Sequence, residues 1–399
     1  MSLNTSSKQL KKLSFEDTQI AFASKTDFKL MKSYWIFAIM NQNWLVKLGT
    51  FFIKFFLFLH FPIKKLIKTT VFEQFCGGES IEDCDLTIQS LGKVHIGTIL
   101  DYSVEGEENE KSFLKTKAEI LKTIEKAKID PQIPFAVFKL TGLFQTELLE
   151  KHQAGQAFDE EEAESFAHSK QFLIEVCQKA HDDGVKLFID AEESWIQNSI
   201  DTLTYEMMAM FNEQEAIIFN TFQMYRVDML DNLRQAIENA EKSNYFLGVK
   251  LVRGAYLEKE RQRAHEDEYS EPLHKQKEDT DRDFNAAIDV CLAHLGQVSF
   301  CVGTHNEVSC MQLCARMEAL EIPANHSHIY FAQLLGMSDN ISYNLAANGY
   351  NVAKYVPYGP VAAVMPYLFR RAEENSSIAG QTSREFGLLQ KEVNRRKQV

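Results

Sequence analysis

The sequence predicts an α/β fold, a TIM-like (βα)8 barrel with additional N-terminal helices. Three observations predict it. From residue 93 onward, short apolar, β-branched runs alternate with longer, charged, helix-periodic stretches. There are eight such runs, each followed by a helical pattern, so parallel pairing through crossover helices closes a barrel. The competing open, doubly wound sheet needs a Gly-x-Gly-x-x-Gly turn after a strand, and the chain lacks one.

Residues 1–92 read as helices and connectors that end near Cys76-Gly77-Gly78, leaving 93–399 for the barrel. The strands are expected at Val94–Tyr102, Phe135–Leu140, Val185–Asp190, Ala216–Thr221, Phe246–Val252, Val298–Val302, His328–Ala332 and Val352–Pro357. The last helix of the alternation is expected at Val361–Asn375. Gln145–Gly184 is long enough for two helices, and the mixed-charge stretch Leu257–His294 reads as a solvated helix pair. No internal repeat or low-complexity linker divides the chain.

One N-terminal segment, Trp44 to Phe61 (WLVKLGTFFIKFFLFLHF), is apolar enough to suggest a membrane span. Lys47 and Lys54 argue against spanning, since each would cost about 2.5–3.5 kcal/mol at a bilayer centre. Their spacing is about two helical turns, which puts both on one face, away from Phe52, Phe55, Phe56 and Leu59. The expectation is an amphipathic helix, packed either on the protein body or on a membrane surface.

The composition is that of a globular protein, with 45% hydrophobic and 25% charged residues. The formal net charge of -13, without a basic stripe or arm, argues against nucleic acid as a partner. Seven cysteines without a Cys-x-x-Cys pair suit reduced thiols, and no metal site is expected. The opening Met1-Ser2-Leu3-Asn4 lacks the pattern of a signal peptide, so a cytoplasmic chain is expected, peripheral on the inner membrane face if the segment 44–61 meets a bilayer rather than the protein body.

In a barrel, functional groups gather where strands end and βα loops begin. The junctions here read Lys139-Leu140-Thr141-Gly142, Asp190-Ala191-Glu192-Glu193, Asn220-Thr221-Phe222-Gln223, Lys250-Leu251-Val252-Arg253-Gly254-Ala255-Tyr256, Gly303-Thr304-His305-Asn306 and Tyr355-Val356-Pro357-Tyr358-Gly359. Lys139, Asp190, Lys250, Arg253, Tyr256, His305, Tyr355, Arg370 and Arg371 would therefore converge at one mouth. Cations outnumber anions there, which suits an anionic ligand. Arg370 and Arg371 offer planar forks for a carboxylate or phosphate. A plainer reading makes them a basic helix face with Glu374 as the i+4 partner of Arg370. Gly254 would let backbone approach a ligand, and Thr304-His305-Asn306 supplies donors suited to a pyrophosphate. No Ser–His–Asp order or metal triad supports hydrolysis.

The motifs LVRGAYLEKER, FIDAEES, VGTHNE, AKYVPYGP and YLFRRAEENSS, with ILDYSVEGEE at Ile99–Glu108, resemble those of monofunctional proline dehydrogenases over residues 90–380. The resemblance implies non-covalent FAD, L-proline as substrate and a membrane quinone as electron acceptor. It implies that Arg370, Arg371 and Lys139 hold the proline carboxylate, and that Tyr256, Leu334 and Tyr355 wall the ring. Asp190 would stand near flavin and substrate, and Lys250 beside the flavin N5 edge, where many bacterial relatives carry arginine. Asn220, Gln223, Arg253, Gly254, Ala255, Thr304, His305, Asn306 and Glu374 would contact the cofactor, and Glu107 would gate the site by pairing with the first arginine. The product would be Δ1-pyrroline-5-carboxylate, formed by hydride transfer to FAD. Hydroxyproline dehydrogenase and a catalytically inactive, membrane-associated binding protein are the alternatives. Bulky Tyr355 favours proline over hydroxyproline, and the intact set Lys139, Asp190, Arg370 and Arg371 speaks against inactivity.

Overall fold

The computed structural model describes residues 13–42, 44–46, 48–51, 64–103, 108–377 and 381–398, with backbone alone for 372–377 and 381–382. Most of the apolar segment 44–61 lies outside them, as does Glu107; Glu374 is described without its side chain. Eight strands form a closed parallel barrel in chain order: β1 Ile96–Tyr102, β2 Phe135–Lys139, β3 Lys186–Asp190, β4 Ile218–Gln223, β5 Leu247–Val252, β6 Val298–Gly303, β7 Ile329–Leu334 and β8 Val352–Tyr358. β8 closes on β1 with Ile99 opposite Tyr355. Every expected strand is present. β4 and β7 run two residues further than expected, because Gln223 still pairs with Val252 of β5, and Leu334 with Tyr355 of β8.

Successive residues of a strand point to opposite faces, and here the two faces bury different cores. Ile99, Phe135, Val137, Phe188, Phe219, Cys301, Ala332, Ala353 and Tyr355 fill the barrel. Phe135 stacks on Phe188 with centroids 4.2 Å apart, and Phe219 and Tyr330 meet Phe135 edge-on. The alternate residues, such as Leu187, Ile189, Val249, Leu251 and Val356, pack outward against the helices.

Gln145–Gly184 holds two helices, Thr146–Gln153 and Glu160–Asp183. The second opens with an Asp159/Glu162 capping box and ends on Gly184 at φ +65°. The charged stretch after β5 also holds a pair, Leu257–Glu266 and Lys277–Ala293, but it is only partly solvated. Glu260 is fully buried and accepts from the Ser194 amide and hydroxyl, each at 2.6 Å. A period-3.6 charge pattern does not reveal which charge meets a neighbouring loop.

The N-terminal helix Asp27–Met40 packs on the last helix, Gln381–Lys397. Leu30, Phe37 and Met40 share a core with Val364, Met365, Leu368, Leu388 and Leu389. Gly77 and Gly78 run beside the end of β8, Gly77 donating to Pro357 O at 2.9 Å. A Cβ on Gly77 would stand 2.4 Å from Val356 Cγ1, so only glycine fits this approach. Among the described residues no helix is long and apolar enough to cross a membrane.

Candidate functional site at the C-terminal mouth of the barrel

Inward-facing residues at the strand ends carry the charge. Asp190 Oδ1 lies 2.5 Å from Lys250 Nζ, and Asp190 Oδ2 lies 3.7 Å from Lys139 Nζ. Asp190 thus sits between two lysines from β2 and β5. Lys250 Nζ stands 4.5 Å from the Tyr355 ring centroid and 5.4 Å from that of Phe188, so aromatic faces support its charge. Tyr355 is buried, parallel to Phe188 with centroids 6.4 Å apart, and Leu334 is its register neighbour on β7. The result is an apolar wall beside a cationic cluster.

Burial pulls the Lys139 ammonium down, but Asp101, Asp190 and Glu192 more than offset it, and its pKa ends above the usual lysine range. Arg370 acts against this rise, so it bears on the same cluster. Burial pushes the Glu192 carboxyl up to about 7, although Thr141 donates to it from its amide at 3.0 Å and from its hydroxyl at 2.6 Å. Tyr256 and Tyr355 are held well above the ordinary phenol range, by burial first and then by nearby carboxylates.

A second group lies between β5 and β6. Arg253 donates to Asp281 Oδ1 at 2.7 Å, Thr304 Oγ1 at 2.6 Å and Ser309 Oγ at 2.9 Å, with its guanidinium 4.2 Å from the Phe284 ring centroid. Asn306 caps the helix Glu307–Ala319, its Oδ1 accepting from Ser309 N at 3.0 Å. His305 is driven down to about 3, by burial and then by Lys354, Arg371 and Arg253, so its ring is neutral. Gln223 donates to Glu192 O at 2.7 Å and accepts from Ala255 N at 3.3 Å, which ties the β3, β4 and β5 loops together. Gly254 adopts φ +137°, and a Cβ there would stand 2.5 Å from the Tyr225 ring. A side chain is therefore excluded, and the backbone at this turn is exposed.

The structure brings together Lys139, Asp190, Lys250, Leu334 and Tyr355 on the inward faces of their strands, with Gln223 at the end of β4. Thr304, His305 and Asn306 form the turn after β6, and half-buried Tyr256 begins the helix Leu257–Glu266. Arg370 and Arg371 lie on the helix Met365–Ser377, with the Arg371 guanidinium 5.5 Å from the Tyr367 ring centroid. Asn220 departs from expectation. Its neighbour Phe219 faces the barrel interior, so its own side chain faces the helices and donates to Asp201 Oδ1 at 2.8 Å. Its amide is spent on Asp201 and is not offered to the mouth. Asp101 and Glu192 were missed, though both bear on Lys139. Asp101 could have been found from strand parity, since it follows inward-facing Ile99 by two residues at the end of β1.

A family model described as proline dehydrogenase matches residues 84–384. The chain is 31% identical over 426 residues to "Proline dehydrogenase 1, mitochondrial" of Dictyostelium discoideum, covering 95% of this chain and 74% of that one. It is 35% identical over 320 residues to "Carbapenem antibiotics biosynthesis protein CarD" of Pectobacterium carotovorum subsp. carotovorum, covering 80% and 83%. Among solved structures, proline utilization A from Bdellovibrio bacteriovorus, inactivated by N-propargylglycine, superposes with a TM-score of 0.78 over 93% of this chain. That match has 20% identity and spans 42% of the solved chain, so it speaks to the fold alone.

Proposed function

Because the chain belongs to the proline dehydrogenase family, we propose that it oxidises L-proline to Δ1-pyrroline-5-carboxylate with FAD as bound cofactor and a quinone as final electron acceptor. The observation that carries this reading is the Lys139–Asp190–Lys250 cluster set against the Tyr355 and Leu334 wall. A small apolar ring bearing a carboxylate matches both parts.

Arg370, Arg371 and Lys139 hold the carboxylate, and Tyr256, Leu334 and Tyr355 bound the ring. Asp190 keeps two neighbouring ammonium groups from repelling each other. Glu107 is the proposed gate. The residues present suit a flavin dinucleotide. The Gly254 turn admits close approach of a ligand, Arg253, Thr304 and the capped helix behind Asn306 offer donors for a diphosphate, and Lys250 supplies a charge at the mouth. Gln223, Ala255, His305 and Glu374, with Asn220 through its backbone, complete the proposed cofactor contacts. When bound, FAD supplies the hydride acceptor. The protein's part is to fix the ring by its anion and to exclude water with the aromatic wall. The bulk of Tyr355 beside the ring favours proline over hydroxyproline.

Contact with a bilayer fits a lipid-soluble acceptor and a peripheral place on the inner membrane face. Phe28, Trp35, Ile39, Trp44, Phe51 and Leu66 are all more than half exposed, and Lys64 and Lys65 stand beside Leu66.

Anaerobic addition of L-proline to the purified, FAD-loaded protein tests the reading. The oxidised-flavin absorption band should bleach with proline and far more slowly with hydroxyproline. Flavin-loaded protein that proline leaves oxidised would refute it.

A further inference from the structure

We propose that Lys354 is a positioning residue for the substrate pocket, fixing from the outer face of β8 the end of β7 at Leu334 and the turn after it that orients His305. The proposal rests on reading Leu334 as part of the substrate wall.

Tyr355 faces the barrel interior, so Lys354 faces the helix layer, where its side chain is 1% exposed. Its ammonium donates to Met337 O at 2.6 Å, to Asp339 Oδ1 at 2.7 Å and to Leu334 O at 3.4 Å. These three contacts use all three of its hydrogens. Asp339 begins the helix Asp339–Ala347, and its other oxygen lies 3.2 Å from Lys25 Nζ, so the N-terminal region joins the same cluster. The turn itself is unusual backbone. Gly336 has φ +76°, Ser338 has φ +49°, and a Cβ on Gly336 would stand 2.1 Å from Gln74 O. Ser338 donates its amide to Glu385 of the last helix, and its hydroxyl lies 2.9 Å from His305 Nδ1.

The physical consequence is direct. Buried carbonyls need donors, and those of Leu334 and Met337 find one in Lys354. A buried cation near a helix N-terminus is unfavourable without a counter-charge, which Asp339 supplies. Leu334 pairs in register with Tyr355, so a shift of the turn moves one wall of the pocket. Ser338 transmits the same shift to His305.

The test uses the flavin-loaded Lys354→Met holoenzyme. The KM for L-proline should rise about tenfold with kcat within about threefold, since ring placement changes and chemistry does not. Amide hydrogen exchange across 334–339 should quicken by at least about tenfold, with β2 unaffected. A folded variant with wild-type KM and wild-type exchange would overturn the proposal, as would unfolding of the whole barrel at equal rates without selective loosening of this turn. If Lys354→Met does not fold, Asp339→Asn, which keeps size and a hydrogen-bond acceptor, decides by the same exchange measurement; unchanged exchange overturns the proposal. If wild-type protein fails to oxidise proline, the functional reading falls, while exchange still reports on the Lys354 contacts to the turn.

Discussion

Asp190→Asn is the sharpest probe of the mouth. Asp190 is the counter-charge for Lys250 at 2.5 Å, with side chains only 14% and 7% exposed. Removing one partner of a buried pair costs about 3–5 kcal/mol, because the other charge is left without compensation. The Lys139 contact is longer, at 3.7 Å, and that side chain is 38% exposed, so it adds little, roughly 0.5 kcal/mol. With some water reaching Asp190, a loss of about 3 kcal/mol is expected, about two powers of ten in the folding equilibrium. The variant also has a signed pH consequence. Lys139 is held above its ordinary value by Asp101, Asp190 and Glu192 against burial. Its charged form therefore persists to high pH and is lost as pH rises through the folded value. Without Asp190 that value falls, so the alkaline rise in KM for proline should begin at lower pH. Urea unfolding of the holoprotein and KM measured across alkaline pH give the two readouts. An unchanged alkaline limb with less than about 1 kcal/mol lost would show that Asp190 does not organise these lysines.

Tyr355→Ser should shift preference toward hydroxyproline, at the expense of the proline rate; equal ratios of kcat/KM in variant and wild type would remove Tyr355 from the ring wall. Gly254→Ala should lower thermal stability and flavin content, since positive φ and the Tyr225 contact together cost on the order of 1–3 kcal/mol. Calorimetry and the ratio of flavin to protein absorbance would check it. Trp35→Ser, Ile39→Ser and Phe51→Ser combined should reduce flotation with anionic liposomes and quinone-linked turnover, while proline-to-dye activity stays intact; loss of folding instead would assign these residues to packing.

Strand number, strand order and the inward parity of Lys139, Asp190, Lys250 and Tyr355 were legible in the chain, because a period of two and the βα alternation are local properties. The same parity marks Asp101 as inward and Asn220 as outward, although motif resemblance alone pointed Asn220 at the cofactor. What no local pattern carries is the choice of partner across tens or hundreds of residues. Only the closed barrel sets Asp190 between two lysines from other strands, drives His305 down by burial and neighbouring cations, and raises Glu192 to about 7 by burial. The partner of the helix Asp27–Met40, the last helix of the chain, is likewise fixed only by the apolar core they share. Sequence determined the barrel and which residues face its interior. Tertiary structure decided which charges are compensated, because desolvation and pairing depend on neighbours brought together only when the barrel closes.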